Sequence, residues 1–594
     1  MPRPFVQSLR PYICDACRAR SITPSPVFGR LLQPTRHIHS GARLALGSSS
    51  QEAKFVDRRI QELGGYDGVA QCFPRWQPPK EGQILSAKAF CADHAELESG
   101  DTKVDSHSSV YGRIISRRKA SSTLWFLHIE SGSASVQVLL NTSVVLQHAA
   151  SFDEAAVRKA RSSLRRGDWV VVSGVPHRTQ SGELSVQAWR VPEIVAPSLQ
   201  PIPENVTNAG FISRNRHVER IIQPSSRDNI ILRHKLVSEL RRFLTDRDYV
   251  EVNTPLLVAE AGGAVARPFE TRATEFLDTK LNLRVAPELF LKRLIVGNMD
   301  KVFEIGTAFR NEGVDLTHNP EFSICEFYQV MTSLPELIRL TEELFFGLAT
   351  VAEAARQTLR SVPDARLDIF QGPFKQLDFI PEMENAIRQR IPSWQFPDLS
   401  SGAGKDAILS TYAELSLEPP VEANLPRLLD DLASNFLEPL CDLPTWIINH
   451  PECMSPLSKS FHAQASTISG LSHRVSARAE LFIHGREYVN CYEEENSPLE
   501  QRRKFAEQIQ LKASIVSGQA SAKDAPPPET HGVVDESYVG ALEYGMPPTG
   551  GWGCGIDRIV MLFSGKTRIA DVLPFGTLTN VVALNSSNKP AVTA

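Results

Sequence analysis

No stretch of this 594-residue chain is apolar over the ~20 residues that a membrane-spanning helix needs, which argues against an integral membrane protein. Excess positive charge is missing too. Lys and Arg number 64 against 68 Asp and Glu, for a net charge of −4. That excludes a global basic field for nucleic acid, so any RNA contact has to come from a local patch. Cysteine is scarce, nine in all and scattered, which excludes a disulfide scaffold and fits free thiols in a reducing compartment. The common nucleotide loops are absent as well: there is no GxxxxGK[ST], and no GxGxxG opens a helix after a strand. What remains is a chain too long for one core, with 42% hydrophobic and 22% charged residues. Two to four soluble domains are expected.

Residues 1–46 differ from the rest. Arg3, Arg10, Arg18, Arg20, Arg30, Arg36 and Arg43 stand against a single acid, Asp15, among serines and small apolar residues. Arg-rich, Ser-containing and acid-poor is the signature of a mitochondrial transit peptide; a basic RNA-binding arm is the alternative. Cys14 and Cys17 form a CxxC there without a second ligand pair, and His37 and His39 are poorly spaced for zinc, so it reads as incidental.

Residues 47–105 read as a helical lead-in broken at Gln77-Pro78-Pro79. From 106 to 197 the texture is short strands and turns, which predicts a small β-barrel. Trp125, Leu127, Ile129, Val136, Val138 and Leu140 are expected to fill it. Phe126 and Gln137 then project from the other face. An exposed aromatic beside an amide suits a single-stranded nucleic acid, with Arg113, Arg117, Arg118 and Lys119 supplying charge for phosphates. Residues 198–225 read as a linker and 226–585 as a large domain mixing strands and helices. An Ala/Ser/Pro-rich surface loop is expected at 515–532 and a disordered tail at 586–594.

Three segments carry the chemistry. FEIGTAFRNEGVDLTHNPEF (Phe303–Phe322) places Arg310 for bidentate contact with a phosphate or carboxylate, Glu312 to accept from an adenine amino group, and Phe322 to cover a purine face. GGWGCGIDR (Gly550–Arg558) brings glycine backbone close to a ligand and sets Arg558 to stack on the other purine face. AELFIHGRE (Ala479–Glu487) hairpins Glu480 and Glu487, which can share Mg2+ ions bridging phosphates. Together they describe an ATP site.

FRNEGVDLTHNPEF and GWGCGIDR resemble motifs 2 and 3 of the class II aminoacyl-tRNA synthetases, and YVEVNTPLL (Tyr249–Leu257) resembles motif 1. Within the class, AGGAVARPF (Ala261–Phe269), RVAPELFLKRL (Arg284–Leu294), CEFYQV (Cys325–Val330) and INHPECMSPLSK (Ile448–Lys459) are similar to the lysyl-tRNA synthetases of subclass IIb. The resemblance implies an α+β fold: a class II antiparallel sheet with flanking helices, plus an N-terminal OB-fold barrel for the anticodon. It implies lysine and ATP giving a lysyl-adenylate, then transfer to tRNA(Lys), for mitochondrial translation. ATP would meet Arg310, Glu312, His318, Asn319, Phe322, Glu480, Gly555 and Arg558, with His318 near the γ-phosphate. Reaction chemistry would rest on Arg310, Glu312, His318 and Arg558. Mg2+ would sit on Glu480 and Glu487. In the lysine pocket, Glu288 would take the α-ammonium, Arg310 the carboxylate, and Glu494 with Tyr328 and Glu326 the ε-ammonium; Gly263, Asn490 and Tyr492 complete it. Arg117, Phe126, Gln137 and Glu183 would contact the anticodon, and Pro255 the interface of a homodimer. Asp248-Tyr249, Cys554 and the order Val572-Leu573-Pro574-Phe575 depart from the family pattern. An aspartyl- or asparaginyl-tRNA synthetase is the nearest rival, and a non-catalytic RNA-binding paralogue a more distant one. Aspartate would need a cation where Glu494 and Glu326 stand. A dead paralogue would have lost Arg310, Glu487 or Arg558.

Overall fold

The computed structural model describes residues 50–75, 83–148, 153–259, 266–400, 402–421, 423–464, 470–519 and 535–584. The leader at 1–46, Gly263, the tail at 586–594 and most of the 515–532 loop lie outside these residues.

Period-2 patterning builds the N-terminal barrel. Its strands are β1 (Ile84–Ser86), β2 (Ser108–Lys119), β3 (Leu124–Ser131), β4 (Ala134–Asn141), β5 (Trp169–Arg178), β6 (Leu184–Ala188) and β7 (Glu193–Ala196). Pairing runs β2-β3-β4-β6-β5, and β5 returns to β2, which closes five strands. Leu127, Ile129, Val136, Val138 and Leu140 are buried inside, with Val110 and Ile114 of β2. Trp125 departs from expectation. It is half-buried at the edge, between the guanidinium groups of Arg117 and Arg161 at 4.8 and 5.1 Å from its ring. The lead-in also differs: besides helices such as Ser50–Glu62 and Ala87–Asp93, it contributes β1, parallel to β2.

The larger domain adds β8 (Val250–Glu251), β9 (Leu257–Val258), β10 (Glu270–Ala273), β11 (Phe276–Leu283), β12 (Lys301–Phe309), β13 (Glu321–Val330), β14 (Lys375–Asp378), β15 (Thr445–Ile448), β16 (Ser460–His462), β17 (Arg474–Ser476), β18 (Arg478–Ile483), β19 (Arg486–Glu493) and β20 (Thr549–Gly555). Eight of these form one sheet in the order β14-β15-β18-β19-β20-β13-β12-β8. Its interior is antiparallel, while the edge pairs β14–β15 and β12–β8 are parallel. Helices Pro224–Thr245 and Leu334–Arg356 cover one face. Leu232, Leu236, Leu240 and Phe243 recur at helical spacing and share a core with Leu344, Phe345, Leu348, Leu481 and Trp552. The second helix opens on a capping box of Ser333 and Glu336. Trp552 stacks on Phe327 with centroids 4.8 Å apart and donates Nε1–H to Thr341 Oγ1 at 2.9 Å. That one side chain ties sheet to helix, and truncating it to Ala would cost about 3–5 kcal/mol.

A second core is built from helices Phe379–Arg388, Gly402–Leu415 and Leu425–Phe436. The stretch expected to be a linker holds two short helices, Ala209–Arg214 and Arg216–Ile222. Arg216 is buried and donates to Glu219 at 2.8 Å and to the Ala570 carbonyl at 2.7 Å, so the segment is pinned to the larger domain. Arg227 reaches Glu130 of β3 at 2.5 Å, which joins barrel to helix.

Candidate active site

Strand alternation sorts the chemistry onto the face that the helices leave uncovered. On β13, Cys325 and Phe327 enter the core, whereas Phe322, Ile324, Glu326 and Tyr328 line a cavity of about 700 Å³. Glu480 on β18, Asn490 and Tyr492 on β19, and Gly551, Gly553 and Gly555 on β20 line the same cavity. Asp557, in the first turn of the helix Ile556–Ser564, accepts from the Ser323 N–H at 2.9 Å and from Arg233 at 2.5 Å. The GIDR segment is thereby locked to β13.

At one end stand the residues expected to hold ATP. Arg310 lies with its guanidinium carbon 5.2 Å from the Phe322 ring centroid, and its buried Nε has no hydrogen-bond partner. His318 donates from Nδ1 to Asp315 at 2.8 Å. Arg558, which can only donate, reaches His318 Nε2 at 3.0 Å, so Nε2 is the acceptor in that contact. Arg558 also donates to the Glu487 carbonyl at 2.9 Å and to its carboxylate at 3.3 Å. Burial works to raise the Asp315 carboxyl, but the Thr317 and His318 hydrogen bonds hold it down to about 2. Glu312 and Gly555 line the cavity. Asn319 lines it too, but its amide is engaged locally, donating to the Glu321 carbonyl at 2.6 Å and accepting from the Leu578 N–H at 2.9 Å.

Glu480 and Glu487 follow. Glu480 accepts from buried His450 at 3.0 Å and from Arg478. Burial pushes the Glu480 carboxyl upward, and Arg478 and His450 overcome this to hold it at about 2. Glu487 is pushed up, first by burial and then by the charge of Glu480. Two repelling carboxylates form an all-oxygen donor set that suits a hard cation. Among the described residues no group of three or more His, Cys, Asp and Glu could hold a metal, so a cation there would need oxygens from its nucleotide.

At the other end three acids converge: Glu288 from the helix Glu288–Val296, Glu326 from β13, and Glu494 just past β19. Glu288 is 6% exposed and Glu494 2%. Tyr492 donates its hydroxyl to Glu288 at 2.7 Å, and Tyr328 reaches Glu326 at 3.3 Å. Burial and the charge of Glu288 push the Glu326 carboxyl up to about 8, against the pull of Arg310. Burial likewise raises Glu494 well above the usual carboxylate range, opposed by Lys292. Lys292 received no role from the sequence. Its fully buried ammonium lies 2.6 Å from Glu288 and in contact with Glu494. Spaced four residues after Glu288 on a helix, it reads as an ordinary helical ion pair. His450 and Arg478 were likewise without a role, and Gly551 entered only as one of the glycines of the Gly550–Arg558 run. Asn490 is turned toward Arg478, accepting from its Nε at 3.0 Å.

On the barrel, Phe126, His128 and Gln137 share one face, because His128 pairs with Gln137 across β3 and β4. Gln137 is 6% exposed, donating to Glu183 at 2.7 Å and accepting from Ser185 at 3.0 Å. His128 meets Glu183 at 3.0 Å. Arg117 is not on this face. A bulge between Ile114 and Ser116 puts Arg117 opposite Leu127 and Arg118 opposite Phe126. Arg117 donates instead to the Leu164 carbonyl at 2.5 Å, and Arg118 lies 5.0 Å from the Phe126 ring. Pro255 is exposed, beside exposed Leu256 and Leu257.

The chain that builds this cavity on an eight-stranded sheet has relatives among known proteins. The family model of class II tRNA synthetases (D, K and N) matches residues 209–579, and that of an OB-fold nucleic acid binding domain matches residues 109–201. Over 474 residues the chain is 35% identical to the mitochondrial lysine–tRNA ligase of Schizosaccharomyces pombe, spanning 80% of this chain and 84% of that one. The chain belongs to the lysine–tRNA ligase family of class II synthetases. Other members of the family are similar to the same degree. A lysine–tRNA ligase of Prochlorococcus marinus is 35% identical over 498 residues, 82% of this chain and 90% of that one. The mitochondrial lysine–tRNA ligase of Saccharomyces cerevisiae is 33% identical over 498 residues, 80% and 82% of the two chains.

Proposed function

We propose that this chain activates lysine with ATP and attaches it to tRNA(Lys), serving translation in the mitochondrial matrix. The observation that carries the reading is the convergence of three acids: Glu288 and Glu326 line the cavity that Arg310 also lines, and buried Glu494 meets Glu288 through Lys292. Buried charge is costly unless paired, and a substrate with two ammonium groups and one carboxylate supplies the partners. Aspartate or asparagine would bring no second ammonium to those acids.

In this reading Arg310, whose Nε is unpartnered, grips the α-phosphate and the lysine carboxylate. The carboxylate oxygen attacks phosphorus in line and pyrophosphate leaves. Phe322 and Arg558 enclose the adenine, Glu312 accepts from its amino group, and His318, Asn319 and Gly555 border the phosphates. Arg558 and His318 bond one another at 3.0 Å, so the two act on the nucleotide from one place. Glu288 receives the α-ammonium, and Glu494 with Glu326 and Tyr328 the ε-ammonium, while Tyr492 and Asn490 orient the chain. No protein nucleophile is needed; positioning and electrostatics lower the barrier. Glu480 and Glu487 would hold Mg2+, which supplies charge neutralisation along the triphosphate. Phe126, Gln137 and Glu183 would meet the anticodon, with Arg118 at their side. Homodimerisation would bury the exposed apolar strip at Leu256 and Leu257 beside Pro255. The Arg-rich leader and the mitochondrial relatives support the matrix location.

The test is charging of tRNA(Lys) with labelled lysine by the full chain, alongside import into isolated mitochondria. Charging with import is expected. Charging of a different tRNA with a different amino acid would refute the activity, and exclusion from the organelle would refute the location.

A further inference from the structure

Lys292 is a fully buried cation among the acids, and it occupies ground that a substrate ammonium was expected to share. Its Nζ touches Glu288 at 2.6 Å and Glu494, and lies 5.9 Å from the Tyr328 ring centroid and 5.6 Å from that of Tyr492. The side chain has no exposure at all, so it cannot withdraw to solvent to make way for a substrate. The pocket therefore works with Lys292 in place.

We propose that Lys292 is a positioning residue for the amino-acid pocket: its ammonium bridges Glu288 and Glu494, cancels one of three buried carboxylate charges, and leaves two for the two ammonium groups of the substrate. The proposal rests on lysine being the amino acid activated. The charge count is specific. Glu288, Glu326 and Glu494 carry three negative charges when ionised, Lys292 returns one, and Arg310 is matched by the substrate carboxylate. Lysine then brings the pocket to neutrality, whereas a monoammonium amino acid leaves an unpaired buried charge. Tyr328, Tyr492 and Tyr538 stand beside these acids with phenols that burial holds protonated, and the nearby cations Arg478 and Arg293 have their own carboxylates in Glu480 and Asp535. Burial first, and then the charge of neighbouring acids, displaces Glu326 and Glu494 upward, which favours protons on them. Lysine binding displaces those protons.

The test is Lys292→Met, close in volume and uncharged, assayed beside the wild type. Pyrophosphate exchange would give KM for lysine and for ATP. Calorimetry of lysine binding at pH 7 in buffers of different ionisation enthalpy would count released protons. The expected result is a KM for lysine raised at least about tenfold, a KM for ATP within about twofold, and a changed proton count. Equal changes in both KM values, or an unchanged KM for lysine with an unchanged proton count, would overturn the assignment. If the variant does not fold, the wild-type count decides: release of a substantial fraction of a proton or more supports the charge balance, and none overturns it. Absence of lysine-dependent exchange in the wild type would instead refute the proposed function.

Discussion

Gly551→Ala probes the lysine pocket through a single methyl group. Gly551 sits on β20, opposite Tyr328 and Tyr492 of the neighbouring strands. A Cβ there would stand 1.8 Å from Glu494 Oε1 and 2.7 Å from Tyr328 Cε1. Ordinary contact begins at 3.4 Å, so the carboxylate would have to retreat by the difference of 1.6 Å. Glu494 is 2% exposed and held by Lys292, so the retreat would disturb that contact. Displacing a positioned group by ~1 Å can cost about 100-fold in rate, and overpacking itself costs about 1–3 kcal/mol of stability. The expected outcome is a fall of about 100-fold in kcat/KM for lysine in pyrophosphate exchange, with KM for ATP little changed. A variant within threefold of wild type, with an unchanged unfolding midpoint, would refute the placement of Glu494 against this glycine.

Glu494→Gln removes one partner of a buried ion pair and is expected to weaken lysine activation by about 3–5 kcal/mol, read as kcat/KM for lysine. Phe126→Ala is expected to raise KM for tRNA by the ~1–3 kcal/mol of a base stack, leaving tRNA-independent pyrophosphate exchange unchanged; equal loss in both assays would contradict an anticodon role. Glu326 carries a folded-state pKa of about 8 against an ordinary 4.5, so the folded form binds the extra proton. The stability of the ligand-free protein should therefore fall as pH rises between those values, and thermal unfolding of Glu326→Gln should show a flatter profile there. Glu487→Gln is expected to raise the Mg2+ concentration needed for half-maximal exchange; an unchanged requirement would remove Glu487 from the cation site.

The catalytic architecture was legible because its signals are local. FEIGTAFRNEGVDLTHNPEF, AELFIHGRE and GGWGCGIDR are each one continuous stretch, and the structure brings Arg310, Glu480 and the glycines of these stretches to one cavity. The barrel was legible for the same reason. What escaped depends on long-range pairing. The bulge between Ile114 and Ser116 slips β2 by one residue, and a one-residue slip exchanges Arg117 and Arg118 between faces. The short edge strand β1 has too few residues to show a period, and only its partner reveals it. The helices within 198–225 are six and seven residues long and are fixed by tertiary contacts such as Arg216 to Ala570. Lys292 was hidden by its ordinary spacing from Glu288; Glu494, which changes its meaning, arrives 202 positions later in the chain.

The most direct test of the central claim is ATP–pyrophosphate exchange by the purified full chain with lysine, aspartate and asparagine supplied one at a time. Exchange with lysine alone is the predicted result, because only lysine brings two ammonium groups to Glu288, Glu326 and Glu494. Exchange with aspartate or asparagine in place of lysine would contradict the account.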